Sequence, residues 1–292
     1  MAYPGIVSHR DWGKKHRPNG RDTLLDILVY LAAGAVAGLL SGLFGIGGGV
    51  IIVPVLLALF ALREVPASVI MHMAVGTSLA TIVFTAISSV RSHWRRGGVL
   101  VPVFLRLAAG MCLGSVLGAL IAGQMSGALL KAAFGVFLLA LGLQLAFGRG
   151  PRPGPRPATP SALILAPAGS AIGAVSSLLG IAGGAMTVPL LARLGIPMRQ
   201  AVGTSAACGL PIALVGAAAF MATGFGHPDL PQRAIGYVYW PAFLGIIAMS
   251  LFTAPLGARL AHRLPQHILQ RAFALLLIVL GLNLLRPLLL SG

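Results

Sequence analysis

Acidic residues are almost missing from this chain. Of 292 residues only 5 are Asp or Glu, against 21 Lys and Arg, and the formal net charge is +16. The five are Asp11, Asp22, Asp26, Glu64 and Asp229, and none stands at the centre of an apolar run. Proton and cation pathways through membranes depend on buried carboxylates. Their scarcity suits an anion better than a cation. Cysteine is as scarce: Cys112 and Cys208 both fall in apolar stretches. They make no disulfide framework and no metal-ligand spacing, so no metal is expected. No His-Glu-x-x-His occurs, Ser78 stands in no Gly-x-Ser-x-Gly context, and no βαβ unit surrounds the glycine clusters. An intramembrane enzyme therefore has little support, and no cofactor is expected.

Charge of any sign is thin, at 9% of residues against 57% hydrophobic. A soluble domain carries about 25% charged residues. Apolar segments run roughly over 24–44, 48–61, 68–90, 99–122 and 127–147, then 161–179, 183–194, 198–222, 236–260 and 266–290. Several exceed the ~18 residues that a membrane helix needs. These features predict an all-α polytopic membrane protein. The basic residues sit in the N-terminal tail and in loops, as the positive-inside rule expects, so the lipid bilayer and not nucleic acid is the expected partner. The run from Leu24 is too long for a signal-peptide core and reads as a retained first span. The chain divides into a basic tail (1–22), a first transmembrane unit (23–147), a Pro/Arg/Gly linker (148–160) and a second unit (161–292).

What the chain does hold is a phrase written twice. Gly45-Ile46-Gly47-Gly48-Gly49-Val50-Ile51-Ile52-Val53-Pro54 returns as Gly180-Ile181-Ala182-Gly183-Gly184-Ala185-Met186-Thr187-Val188-Pro189, offset by 135. Ala74-Val75-Gly76-Thr77-Ser78 returns as Ala201-Val202-Gly203-Thr204-Ser205, offset by 127, and Gly118, Phe134 and Gly142 answer Gly257, Phe273 and Gly281, offset by 139. Blocks in the same order with drifting offsets predict two homologous repeats. In each unit the second segment, 48–61 or 183–194, is too short to cross about 30 Å of hydrocarbon at ~1.5 Å per residue. Each repeat is therefore expected to hold a broken or short helical hairpin and three long transmembrane helices. Broken backbone at membrane depth is tolerated inside protein or beside a watery cavity.

Loop charges bear on orientation. Arg91, Arg95, Arg96, the linker arginines, Arg193, Arg199, Arg259 and Arg263 fall together on the inside if each unit has five crossings, which inverts the repeats. That count leaves the basic tail outside. Four crossings per unit would bring the tail in but send Arg193, Arg199, Arg259 and Arg263 out. Eight or ten crossings both stay open at this point, as does the oligomeric state.

The expected substrate-binding residues follow from the doubled phrases. Gly47, Gly48, Gly49, Gly183 and Gly184 would bring bare amides and a positive helix end to an anion. Gly76, Thr77, Ser78, Gly203, Thr204 and Ser205 would add neutral hydroxyl donors. Capping or back-bonding is the structural alternative for those hydroxyls, and close helix packing is the alternative for the glycines. Pro54 and Pro189 are candidate hinges. His72 and Arg106 are accessory candidates, with a satisfied interior histidine and a snorkelling arginine as alternatives.

The segment Gly38 to Pro54, followed by Ala-Val-Gly-Thr-Ser and doubled in the second unit, resembles the TauE/SafE family, the 4-toluene sulfonate uptake permease superfamily. The resemblance covers about residues 24–290. It implies a multi-pass protein of the bacterial inner membrane that moves sulfite, an organosulfonate or a related sulfur-containing oxyanion, often outward. Ala182 replaces the glycine found at Gly47, so an exactly symmetric site is not expected. The reading is a secondary transporter working by alternating access. An anion channel is the alternative, and a scaffold or assembly factor a more remote one.

Overall fold

The computed structural model describes residues 20–44, 48–147, 161–261 and 265–290. The tail, the linker and Gly47 lie outside the described residues. Ten helices follow in order: α1 (Gly20–Phe44), α2 (Gly49–Leu62), α3 (Ile70–Arg95), α4 (Val101–Gln124), α5 (Gly127–Phe147), α6 (Ala162–Leu179), α7 (Gly184–Arg193), α8 (Met198–Thr223), α9 (Trp240–Ala261) and α10 (Gln266–Leu290). Among the described residues, seven helices (α3, α4, α5, α6, α8, α9 and α10) are long and apolar enough to cross a membrane. Their outward side chains, such as Leu105, Leu117, Leu163 and Phe252, are exposed and apolar, as a lipid-facing surface requires.

One segment departs from the sequence reading. Residues 236–260 do not form a single helix from their start. Ala234–Ile235 (β1) pairs antiparallel with Val238–Tyr239 (β2) in a small ribbon, and α9 begins at Trp240. Gly236 makes the turn with a positive φ of 53°, which glycine adopts without strain. Its position presses against the Met221 backbone.

Small residues decide which helices meet. On α4, Gly110, Gly114 and Gly118 lie against Ala166, Ser170 and Ala174 of α6, while Gly169 and Gly173 of α6 lie against Leu107 and Met111. Contacts that climb together on both chains make this pair parallel. Gly34 and Gly38 of α1 meet Ile246 and Ser250 of α9 in the same way, and Gly245 meets Tyr30. Without Cβ atoms, such backbones reach van der Waals contact, which drives association where lipid removes the hydrophobic force. Helix α5 crosses α10 antiparallel, Gly135 against Leu285 and Gly142 against Ile278. Helices α3 and α8 are also antiparallel: Gly76 meets Phe220, and Leu79 meets Gly216. The pairing is reciprocal: the first helix of each unit packs on the fourth of the other, the third on the third and the fifth on the fifth.

Following these directions along the chain, the loops sort to two ends. The α3–α4 and α7–α8 loops share one end, where the Arg199 guanidinium donates to the Arg96 carbonyl. The loops after α2 and α8 share the other, where Ser68 Oγ donates to Asp229 Oδ2 at 2.5 Å.

Candidate functional site

Helix α6 ends in a Schellman motif. The Ile181 amide donates to the Ser176 carbonyl at 2.9 Å and the Gly180 amide to the Ser177 carbonyl at 3.2 Å. Gly180 sits there with φ 72°, a left-handed conformation that a side chain would strain. Gly183 repeats that φ as the N-cap of α7. The first bonds of α7 run from the Met186 and Thr187 amides to the Gly183 carbonyl. The amides of Gly184 and Ala185 thus find no acceptor within the helix, as at any helix start. In the first hairpin the Ile51 and Ile52 amides bond the Gly48 carbonyl, which leaves those of Gly49 and Val50 in the same position. Pro54 and Pro189 lie inside α2 and α7, each at the sixth residue, and each removes one rung of the helical ladder.

The two breaks meet. Gly49 packs against the Gly180 carbonyl and Ile181, and both Gly49 and Gly180 are buried. Ser78 Oγ, fully buried on α3, donates to the same Gly180 carbonyl at 2.9 Å. The hairpin tips are thus clasped to each other and to the long helix between them. Among the described residues of the tips, Gly48, Gly49, Gly180 and Gly183 are buried.

The Gly-Thr pairs have backbone partners. Thr77 Oγ1 accepts the Tyr239 amide at 3.0 Å, and Thr204 Oγ1 accepts the Leu100 amide at 3.0 Å. Gly76 lies under the Tyr237 carbonyl, and Gly203 under the Gly98 carbonyl. Tyr237 follows Gly98 by 139 positions, as Tyr239 follows Leu100. Each pair receives the chain as it enters the fourth helix of a unit. Glycine makes room for the carbonyl, and threonine meets an amide that has no helical acceptor. Ser205 is buried beside Thr204. Gly45, the counterpart of Gly180, lies outside the described residues.

Sequence reasoning missed Ser176 and Ser177. Both are fully buried in the last turn of α6, and neither hydroxyl has a partner among the described residues. Ser176 Oγ would stand 3.1 Å from a Cβ at Gly183, and Ser177 Oγ 2.9 Å from one at Gly216. The signal was present: Ser41 precedes Ser176 by the same 135 positions, and Ser41 Oγ flanks Gly48 in turn. The pair looks like part of an apolar span unless that offset is followed.

The accessory candidates stand apart from the tips. His72 is buried in the first turn of α3, with Nε2 2.9 Å from the Ala122 carbonyl oxygen. Arg106 is half-buried in the second turn of α4, at the arginine-rich end. Among the described residues no cluster of His, Cys, Asp and Glu could hold a metal.

This architecture has named relatives. The sequence pattern of the family "Sulfite exporter TauE/SafE" matches residues 30–284. A "probable membrane transporter protein" of Haemophilus influenzae is 38% identical over 258 residues, 88% of this chain and 97% of the relative. Proteins called by the same words in Methanocaldococcus jannaschii and Bacillus subtilis are 28% and 25% identical. Each alignment covers 89% or more of this chain and 96% or more of the relative. A multi-pass helical membrane protein with this family pattern over most of its length, and transporters by name among its relatives, belongs to the sulfite exporter TauE/SafE family.

Proposed function

We propose that this protein is a secondary transporter of the cell (inner) membrane that exports a small sulfur-containing oxyanion, sulfite or an organosulfonate, by alternating access. One observation carries the reading. Two interrupted hairpins meet in the protein interior, where the amino end of α7 gathers beside the Gly180–Gly183 break with the hydroxyls of Ser176 and Ser177, unpaired among the described residues. Amide and hydroxyl donors bind an oxyanion without a fixed countercharge, and a helix amino end adds a positive potential. Neutral donors also let the ion go, which a transporter requires.

The antiparallel pairing of α3 with α8 and of α5 with α10 supports two inverted repeats with five crossings each. Inverted repeats rocking about a site near midplane are the usual basis of alternating access. In that scheme Gly48, Gly49, Gly183, Gly184, Ser78 and Ser205 border the anion, with Ser176 and Ser177 added. Gly76, Thr77, Gly203 and Thr204 hold the fourth helices in place around it. The contact of Gly49 with Gly180 and the Ser78 clasp make this arrangement a closed one, which must part for passage. Pro54 and Pro189 are placed to bend as it does.

Reconstituted protein in proteoliposomes, offered sulfite, sulfate, thiosulfate, organosulfonates and carboxylates, tests the reading. Counterflow of sulfite or an organosulfonate against its gradient is the expected result. Flux without counterflow would make the protein a channel. Absence of flux with every anion would favour a scaffold.

A further inference from the structure

His72 lies at the end of the molecule opposite the arginine-rich loops, against the last turn of α4. Its Nε2 is 2.9 Å from the Ala122 carbonyl oxygen, in the last turn of α4. Its Nδ1 is buried and has no partner among the described residues. In a neutral imidazole whose Nε2–H donates to Ala122, Nδ1 is an acceptor that no donor meets, and a buried polar atom left so is costly. A proton on Nδ1 makes the ring a cation, which burial opposes and which the Ala122 carbonyl at Nε2 favours through a charge-assisted bond. The negative end of α4 favours the resulting cation.

The ionisable neighbours lead outward. Tyr237 of the ribbon stacks on the imidazole, with centroids 5.0 Å apart at 28°. The His227 ring lies 6.1 Å beyond Tyr237. The Asp229 amide donates to His227 Nδ1 at 3.3 Å, and the Asp229 carboxylate accepts the Ser68 hydroxyl. Burial holds the Tyr237 phenol above its ordinary range, so it is neutral at physiological pH. The end of α4 presents carbonyls and no charge to the ring. Arg63 and Glu64 stand at the same end, in the loop after α2. His227 repels a charge on His72.

We propose that His72 is a proton-binding site through which anion movement is coupled to proton movement, an inference that rests on the transporter reading above. The proton comes from water at the ribbon end, forms an N–H bond at Nδ1, and leaves to water on the other side once the hairpins have parted. Helix α3 joins the two events within two turns. It carries His72, then Gly76 under the Tyr237 carbonyl, Thr77 on the Tyr239 amide and Ser78 on the Gly180 carbonyl. A charge at His72 therefore acts on the same helix that clasps the hairpin tip.

The test uses proteoliposomes with an internal pH dye and an organosulfonate, which stays ionised and brings no proton of its own. In the wild type, an organosulfonate gradient should drive a proton flux, and the anion rate should change about tenfold between pH ~5 and ~8. His72→Gln should abolish the proton flux and flatten the profile to within about twofold, with downhill anion flux retained. His227→Gln should move the midpoint of the profile to higher pH, because a repelling imidazolium beyond Tyr237 is gone. Anion flux without proton flux, or an unaltered profile in both variants, would overturn this proposal alone. Absence of all anion flux would overturn the transporter reading with it.

Discussion

Thr204 and Ser176 are both small, buried and hydroxylated, and the structure gives them opposite circumstances. Thr204 Oγ1 is the acceptor for the Leu100 amide, so Thr204→Val strands a backbone donor where α4 begins. Leaving such a group unmet costs about 1–3 kcal/mol. The expected outcome is a lower melting temperature in detergent, with Thr204→Ser close to wild type. Ser176 has no partner to lose among the described residues, so Ser176→Ala should leave melting unchanged. If its hydroxyl helps to hold the anion, flux should fall about tenfold, equivalent to ~1.4 kcal/mol. Equal melting of wild type and Thr204→Val, or equal flux of wild type and Ser176→Ala, would reverse these assignments. The sequence displayed the Gly-Thr-Ser block twice and so marked it as important. It did not display the carbonyl and amide that the block receives, because those arrive from over a hundred residues away.

At the scale of helices, the segment reading was close. The run expected at 48–61 is α2, Gly49–Leu62, and that expected at 183–194 is α7, Gly184–Arg193. Apolar length and glycine punctuation carry that information locally. The ribbon before α9 escaped notice because strands of two residues are too short to show alternation, and its tyrosines blend into an apolar run. Helix partners were equally hidden, since an all-apolar helix has no stripe that points to a neighbour. The glycine ladder on α4 does point. Gly114 lies against the Ser170 backbone of α6, and Gly114→Leu has no room there. We expect that variant to lose the folded, monodisperse fraction in size-exclusion chromatography. Leu117→Ala on the same helix, at a site 46% exposed, should keep it. Two variants that behave alike would mean that the ladder is not what joins α4 to α6.

For the whole molecule, the proposed five crossings in each unit would put the loops around Ser126 and Gly226 on one side, with those around Arg96 and Gly195 on the other. Single cysteines at these four positions, in a background with Cys112 and Cys208 replaced by Ala, should react with a membrane-impermeant maleimide in two pairs. Positions 126 and 226 should label from outside intact cells, and 96 and 195 only after permeabilisation. Four-crossing units would break the pairs apart. In the proposed arrangement the start of α1 shares the outer side with the loop after α8, and the many arginines of the opposite end set the orientation.

The reciprocal helix pairing also has a consequence for how the chain is made. Helix α1 ends at Phe44, and the α9 surface that receives Gly34 and Gly38 starts at Trp240, 196 residues later (240 − 44). At about 5–20 residues per second, translation reaches α9 roughly 10–40 seconds after α1 has left the ribosome. During that interval the α1 groove lies open to lipid or to an insertase. Biogenesis of this protein is therefore a matter of holding early helices unmated until the late ones arrive.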